Sequence, residues 1–127
     1  MTHRSRLCGF VLDCEVDDLT PHVEFWRQAL GKRVDAPDED GDGRYARLET
    51  ARDEPVLLLQ KVSHASRIHL DIETDDVDAE VQRLVALGAK EVERVHTWCV
   101  MEAPSGHRFC VVRQQTRPFG PHLNTWK

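Results

Sequence analysis

Apolar and polar residues alternate along two stretches of the chain. The apolar positions are Leu12, Cys14 and Val16 in the first stretch and Ile68, Leu70 and Ile72 in the second. The polar positions that alternate with them are Asp13, Glu15, His69, Asp71 and Glu73. A two-residue period is typical of a strand that turns one face to the core. Both stretches are therefore predicted to be half-buried β-strands.

The two strands belong to an internal repeat. The sequence LDCEVDD at 12–18 returns as LDIETDD at 70–76, with five of seven residues identical and a shift of 58 positions. ALGKRV at 29–34 returns as ALGAKEV at 86–92, at nearly the same shift. Two matches at one offset indicate a duplication. Residues 1–127 are predicted to form a single domain, with repeat one at about 7–62, repeat two at about 67–113 and a C-terminal tail at 114–127.

Each repeat continues with a helix. In the first, Thr20 is expected to be the N-cap and Gly31 the stop. In the second, Asp75 or Asp76 is the expected N-cap and Gly88 the stop. Apolar residues recur at helical spacing between these signals, namely Val23, Trp26 and Leu30, then Val77, Val81, Leu84 and Val85. The pattern predicts one amphipathic helix in each repeat.

Three short β-like runs follow each helix. They are KRVDAP, GRYARLET and PVLLLQKV in the first repeat and EVERVHT, WCVMEA and HRFCVVR in the second, with turns expected at 38–43 and 104–106. A helix with one apolar stripe needs a sheet to cover. The predicted fold class is α+β, with tandem βαβββ repeats that form a curved, partly open mixed sheet. One helix per repeat covers the outer face, and polar strand residues line a concave inner face.

The tandem unit resembles the vicinal oxygen chelate superfamily, which includes glyoxalase I, bleomycin-resistance proteins and ring-cleaving dioxygenases. The residues that carry the resemblance are FWRQALG, HLDIETDDVDAEVQRLVALGA and APSGHRFCVV. The resemblance spans roughly residues 7–113, and the final run from Gly106 to Val112 is similar to that of small glyoxalase-like proteins. Because this fold hosts several unrelated chemistries and pure binding proteins, the resemblance implies the fold more strongly than a reaction.

For metal-dependent members, the resemblance implies one ligand from the first strand of each repeat, usually His, and one from the last strand, usually Glu. Such donors hold a divalent ion while leaving positions open for substrate oxygens. His69 matches this pattern, whereas Val11 stands at its counterpart and Cys110 stands where the second carboxylate is expected. The remaining position falls on either Leu58 or Gln60.

These departures favour a pocket without the usual four-ligand metal site, so no metal and no other cofactor is predicted. The alternative is a reduced site in which His69 and Cys110, with the amide oxygen of Gln60, hold zinc or another divalent ion. A histidine on a strand face is more often a hydrogen-bonded cavity residue than a ligand. A buried free cysteine commonly serves as a small apolar residue.

Candidate ligand-binding residues share the polar face. They are Asp13, Gln60, His69, Asp71, Trp98, Arg108 and Cys110. Converging carboxylates would favour a cationic or amine-bearing ligand, although exposed strand ends explain them as well. Arg108 is suited to an anionic group, or lies on the surface. Trp98 provides an aromatic wall together with His96, or packs against the helix. Glu73 and His69 are the candidate catalytic residues, as a metal-free acid–base pair.

The tail sequence QQTRPFGPHLNTWK combines helix-breaking and apolar residues. Two prolines and a glycine predict an irregular conformation. Its apolar side chains are too many for a free end, so the tail is expected to dock on its own domain or on a neighbouring subunit. These side chains are Phe119, Leu123 and Trp126.

Composition narrows the function further. The net charge of −5 and scattered Lys and Arg residues disfavour nucleic-acid binding. No apolar run approaches the ~18 residues of a membrane span, and Asp13 and Glu15 interrupt the N-terminal apolar run, so a cytoplasmic location is expected. The four cysteines form no CxxC pair and are expected to be reduced thiols.

Together these features predict a homodimeric, glyoxalase-like protein that binds a small molecule on the concave face, without nucleic-acid or membrane partners. The alternative function is a metal-dependent lyase, isomerase or dioxygenase that uses His69 and Cys110. A third interpretation is an interaction domain whose large side chains fill the cavity.

Overall fold

The computed structural model describes residues 2–36, 43–115 and 118–127 of the chain. The expected turn at 38–43 lies outside these residues, apart from Gly43. The elements in chain order are β1 (His3–Glu15), α1 (Thr20–Leu30), β2 (Val34–Ala36), β3 (Tyr45–Leu48), β4 (Val56–Val62), β5 (Arg67–Thr74), α2 (Val77–Ala86), β6 (Lys90–Val95), β7 (Trp98–Glu102), β8 (Arg108–Arg113) and β9 (Asn124–Trp126).

The chain forms two compact units, each of which contains most of one sequence repeat. The first-repeat unit is Gly9–Ile68. The second-repeat unit combines Met1–Cys8 with His69–Lys127. The N-terminal part of β1 thus belongs to the second-repeat unit, although it precedes the first repeat in the sequence.

The first-repeat unit is a mixed sheet with α1 on one face. Its strand order is β2-β3-β4-β1, with β1 parallel to β4 and the other neighbours antiparallel. Because β2 ends this row, the sheet is open. Leu19, Leu48 and Leu59 are buried at the centre of the core, and Val23 and Trp26 of α1 pack against them. The apolar stripe of α1 therefore covers the apolar strand face, as predicted.

The second-repeat unit repeats this plan. Its strand order is β5-β8-β7-β6, with β5 parallel to β8 and the other neighbours antiparallel. The core between α2 and the sheet consists of Val81, Ala89, Cys99, Met101, Phe109 and Val111. The predicted α+β class, with a βαβββ unit written twice and one helix per repeat, is confirmed.

The observed helix ends agree with the predicted capping residues Asp76 and Gly31 but not with Thr20. Asp76 caps α2, because its Oδ1 accepts a hydrogen bond from the amide of Ala79 at 3.0 Å. The prediction of Thr20 as the α1 cap is wrong, since Thr20 is already helical and Leu19 is the N-cap. Leu19 is 4% exposed, and the Asp18 carboxylate accepts a hydrogen bond from the Thr20 amide at 3.0 Å, so buried Leu19 and Asp18, rather than the Thr20 side chain, hold the start of α1. Gly31 ends α1 in the left-handed region with φ of 65°, as expected of a C-terminal glycine.

The C-terminal tail packs on the second-repeat unit. Its last segment is not irregular as expected, since β9 pairs antiparallel with His3–Ser5 of β1. Trp126 donates from Nε1 to Ser5 Oγ at 2.8 Å, and the Arg83 guanidinium carbon lies 3.8 Å from the centre of the indole ring. The carbonyl of Pro121 accepts a hydrogen bond from Arg6. The expectation that the tail docks on its own chain agrees with these contacts.

All four cysteines are free thiols, as the sequence predicted. Neither α1 nor α2 is long and apolar enough to cross a membrane, and the described ranges contain no other helix.

Candidate functional site

Three potential metal or ligand donors meet on the second-repeat sheet. His69 and Asp71 lie on β5, and Cys110 lies on β8 directly beside Asp71 in the parallel register. Because Ile72 and Val111 pack toward α2, the alternating positions of His69, Asp71 and Cys110 place them on the opposite face. One donor atom from each residue lies within 4.8 Å of the other two. We call these three residues the donor cluster.

The donor cluster is half-buried and polar. His69 Nε2 lies 3.4 Å from Asp71 Oδ1, and the two side chains are 11% and 18% exposed. Asp71 Oδ1 is itself buried and accepts no hydrogen bond from the residues that the structure describes. A buried carboxylate oxygen without a hydrogen bond is costly, so each such atom in a folded protein calls for an explanation. At Asp71 the neighbouring polar group is His69 Nε2, and a ligand donor or a cation at this oxygen would complete its contacts.

Arg108 lies at the edge of the donor cluster. It is two residues before Cys110 on β8 and therefore shares its face. Its Nε lies 3.3 Å from Glu102 Oε1, across the antiparallel pair that β7 and β8 form. Both side chains are about one-third exposed, at 37% and 32%. Arg108 is thus a cation at the rim, held by one carboxylate and accessible to solvent.

Glu73 takes part in a different arrangement. It is fully buried, and Arg6 Nε donates to its Oε2 at 2.6 Å while the Gln115 amide donates to its Oε1 at 2.8 Å. His69 lies four residues earlier on an extended strand, about 13 Å along the chain. The two side chains of the expected acid–base pair are therefore separated, and the geometry gives Glu73 a structural ion pair instead.

Arg6 is the partner that sequence reasoning missed. The predicted first strand starts at Leu12, whereas β1 starts at His3. Arg6 is 8% exposed, which is rare for an arginine unless it is paired. The polar residues of HRSR, at 3–6, hide the strand from a search for apolar alternation.

The first-repeat unit resolves the register that the sequence left open. In that unit Asp13 pairs with Gln60, just as Asp71 pairs with Cys110 in the other. Because Asp13 and Asp71 correspond in the repeat, Gln60 rather than Leu58 is the counterpart of Cys110. Gln60 donates from Nε2 to Tyr45 Oη at 3.3 Å.

The first-repeat counterparts of His69 and Asp71 are also engaged within their own unit. Val11, the counterpart of His69, is 2% exposed and belongs to the core. Asp13 is buried and faces two basic side chains, with Arg67 Nε 3.6 Å and His64 Nε2 4.0 Å from its Oδ2. Glu15 is exposed at the end of β1. The donor cluster of the second-repeat unit therefore has no equivalent set of donors within the described part of the first-repeat unit.

Trp98 lies in a separate cleft of the second-repeat unit, which we call the hairpin cleft. The cleft has a volume of about 410 Å³ and contains no member of the donor cluster. His96 was expected on a strand, but it lies in the turn between β6 and β7. Its ring centroid is 5.8 Å from that of Trp98. The lining residues are Thr74, Asp75, Asp76, Val77, Asp78, Arg94, His96, Thr97, Trp98 and Arg113.

Two of the other thiols are poor candidates for chemistry. Burial raises the pKa of Cys14, and the charge of Asp13 raises it further. Burial likewise raises the pKa of Cys99. Since the thiolate is the reactive and metal-binding form, both residues favour an inert apolar role.

The donor cluster fits a divalent metal ion, with zinc the best match. Imidazole, carboxylate and thiolate are all zinc ligands, and three protein donors with a fourth position left open is the arrangement of catalytic zinc sites. The buried Asp71 Oδ1 without a hydrogen bond gives the site an oxygen able to accept a cation. Within this unit, Asp71 offers the third donor beside His69 and Cys110.

Comparison with known proteins identifies a domain family and several proteins of similar fold. A glyoxalase-like domain model matches residues 9–112. A hypothetical protein, BH1468 from Bacillus halodurans C-125, is 14% identical with a TM-score of 0.66, over 88% of this chain and 96% of that one. A glyoxalase/bleomycin resistance protein/dioxygenase superfamily member from Vibrio splendidus 12B01 is 16% identical with a TM-score of 0.55, over 86% and 98%. A search of curated proteins gave no match.

A methylmalonyl-CoA epimerase from Mycobacterium tuberculosis is similar as well. It is 18% identical with a TM-score of 0.61, over 87% of this chain and 91% of that one. At these identities the likeness concerns the fold alone. Because the domain model spans most of the sequence, the chain belongs to the glyoxalase-like domain family, in agreement with the resemblance to small glyoxalase-like proteins.

Proposed function

We propose that the chain binds a small molecule at the donor cluster of the second-repeat unit. The observation that carries this proposal is the buried Asp71 Oδ1, which accepts no hydrogen bond from the described residues. Ligand pockets characteristically combine a few polar groups that fix the orientation of the bound molecule. A ligand hydroxyl or amine that donates to Asp71 would satisfy this oxygen.

The rim residues add a second requirement on the ligand. Arg108 is partly exposed and carries a fork of N–H donors that matches a carboxylate or phosphate. Cys110 and His69 offer further polar contacts on the same face. The ligand that fits best is a small molecule with a hydroxyl or amine at one end and an anionic group at the other.

A thermal-shift screen of hydroxy acids and amino acids, run after chelation of metals, tests the proposal. A ligand present at 100 times its Kd should stabilise the protein by about 2.7 kcal/mol. This stabilisation should disappear in Asp71→Asn and persist in Asp53→Asn, which removes a carboxylate from an exposed loop. A ligand that stabilises both variants equally, or a screen with no ligand, would contradict the proposal.

A second candidate function is that of a metal-dependent lyase, isomerase or dioxygenase. The proximity of His69, Asp71 and Cys110, with donor atoms within 4.8 Å, favours it. These three residues would hold the ion. A divalent ion with an open position supplies Lewis-acid polarisation of a substrate oxygen. Arg108 would then orient an anionic substrate at the rim.

Elemental mass spectrometry after incubation with zinc and dialysis separates the two candidates. About one equivalent of zinc that is lost in His69→Ala, Asp71→Asn and Cys110→Ala would support the metal-dependent function. Cys14→Ala is the matched control, because it removes another partly buried thiol and should leave the zinc content unchanged. Zinc that binds equally to all variants, or not at all, would rule out this second candidate and leave the first intact.

We also propose a cytoplasmic homodimer without nucleic-acid partners. The net charge of −5 supports the absence of nucleic-acid binding, because phosphate contacts need clustered positive charge. Light scattering after size exclusion tests the dimer, since a mass near 14.6 kDa would contradict it.

A further inference from the structure

The hairpin cleft has the properties of a separate ligand site. Its volume of about 410 Å³ falls within the ~300–1,000 Å³ that is usual for small-molecule pockets. The turn before α2, the β6–β7 turn and the end of β8 form its walls. All of these segments belong to the second-repeat unit, and none contains a residue of the donor cluster.

An aromatic pair lines one side of the cleft. The rings of His96 and Trp98 have centroids 5.8 Å apart, with an angle of 52° between their planes. His96 has φ of 49°, in the left-handed region where hairpin turns usually carry Gly, Asn or Asp. A histidine at such a position costs conformational energy, and residues of this kind cluster at functional sites. The turn thus places the imidazole beside the indole in the lining of the cleft.

The charged groups of the cleft differ in whether they already have partners. Asp75 accepts hydrogen bonds from the amide and the Nε of Arg4. Asp76 caps α2, and Asp78 accepts a hydrogen bond from Arg94 at 2.8 Å. Each carboxylate in the cleft is therefore engaged in a contact within the protein.

Arg113 is the exception. It lies beside Thr74 in the β5–β8 pair, and its guanidinium makes no hydrogen bond or ion pair with the part of the chain that the structure describes. Its side chain is exposed, so it can reach a ligand without breaking an existing contact. Arg113 is therefore the charged group of the cleft that is available to an anionic ligand.

We propose that the hairpin cleft binds a planar aromatic carboxylate. The Arg113 guanidinium matches a carboxylate through two parallel hydrogen bonds. Trp98 and His96 offer ring surfaces for stacking or edge contact with the aromatic part of the ligand. This inference does not depend on the donor cluster, because the two sites share no residue.

Titration of isotope-labelled protein with 2-naphthoate, followed by NMR, tests the inference. Chemical-shift changes should saturate and map to 94–98 and 113. Arg113→Gln should weaken 2-naphthoate binding about tenfold or more, since hydrogen bonds to charged groups contribute about 1.5–3 kcal/mol. The same variant should leave binding of neutral 2-naphthamide unchanged, whereas Trp98→Leu should weaken binding of both compounds.

Two controls make the test specific. Arg52→Gln removes an exposed arginine of the first-repeat unit and should leave 2-naphthoate binding unchanged. Asp71→Asn should do the same, which separates this site from the proposed function. Equal weakening by Arg52→Gln and Arg113→Gln would overturn the inference, because it would indicate nonspecific attraction. Shifts that map to His69 and Cys110, or no saturable binding, would also overturn it.

Discussion

The two repeats share a backbone plan but differ in the metal- and ligand-binding side chains on their polar strand faces. In the first-repeat unit, Asp13 faces basic side chains of its own unit and Gln60 is bonded to Tyr45. In the second-repeat unit, Asp71 and Cys110 occupy the corresponding positions and Asp71 lies 3.4 Å from His69, whose counterpart in the first-repeat unit is the buried Val11. Duplication preserved the fold, while the chemistry diverged on the polar strand face.

The largest difference should be found at the repeat-related pair Glu15 and Glu73. Glu73 is buried against Arg6, whereas Glu15 is exposed. Glu73→Gln should lower the free energy of unfolding by about 3 kcal/mol, because it leaves the buried Arg6 charge without its partner. Glu15→Gln should change it by no more than about 0.5 kcal/mol. Urea denaturation measures both, and equal effects would show that the two repeats are not different in this respect.

The tail is the next difference, since it packs only on the second-repeat unit among the described contacts. Trp126→Ala removes the hydrogen bond to Ser5 and the contact with the Arg83 guanidinium. We expect a loss of about 2 kcal/mol, from lost cation–π and packing interactions together. Thr125→Ala, an exposed neighbour on β9, is the control and should have little effect. A Trp126 variant as stable as the control would mean that the tail contributes nothing to stability.

Some elements of the fold were predictable from local sequence patterns, and others were not. The strands β1 and β5 and the two helices were predictable from local patterns with periods of two and 3.6 residues. The repeat was predictable from the similarity of residues 12–18 to residues 70–76. Glycine at position 31 and aspartate at position 76 act through contacts within a few residues, so they too were predictable. Even so, local signals misled at Thr20, because α1 begins with the buried Leu19 as N-cap and with the Asp18 carboxylate bonded to the Thr20 amide.

The candidate site depended on information that local patterns do not hold. His69 and Cys110 were identified from the resemblance and Asp71 from its place on the polar face, but the proximity of Asp71 to Cys110 depends on the parallel register between β5 and β8. Parallel strands are joined by long connections, so their register is not set by a turn. The Arg6–Glu73 ion pair was even harder to predict, because its partners are 67 residues apart in the sequence. Contacts at such distances depend on the assembled fold.

The helix N-termini give a smaller difference. Asp76→Ala should cost about 1 kcal/mol, because the Asp76 carboxylate accepts the amide hydrogen of Ala79. Thr20→Ala should have almost no effect, since Thr20 is already helical and the hydrogen bond at the start of α1 runs from its backbone amide to the Asp18 carboxylate. Thermal unfolding followed by circular dichroism measures both changes. A loss at Thr20 as large as that at Asp76 would restore the original assignment of Thr20 as a cap.

The smallest effect on stability should come from the Glu–Arg pairs of the helices, which differ in burial. Glu24 is exposed, and hydrogen bonds from Arg27 and then Gln28 lower its pKa to about 2. Glu80 is fully buried, which opposes ionisation, but hydrogen bonds from Arg83 and His3 prevail and its pKa is lowered as well. A carboxyl group with a lowered pKa in the folded state stabilises the protein above its unfolded pKa near 4.5, and this contribution is lost as pH falls.

Arg27→Gln tests whether this linkage matters at the surface. The pKa of Glu24 should rise, as measured by NMR of its side-chain carboxyl, while the hydrogen bond from Gln28 remains. Because solvent and salt screen an exposed pair, the rise should be small, and by linkage the stability at pH 7 should fall by the same small free energy. The acid-induced loss of stability below pH 4.5 should also persist, since the buried Glu80 in α2 is unaffected. If Arg27→Gln abolished that loss, the acid sensitivity would reside in the first-repeat helix, and burial would not be what distinguishes the two pairs.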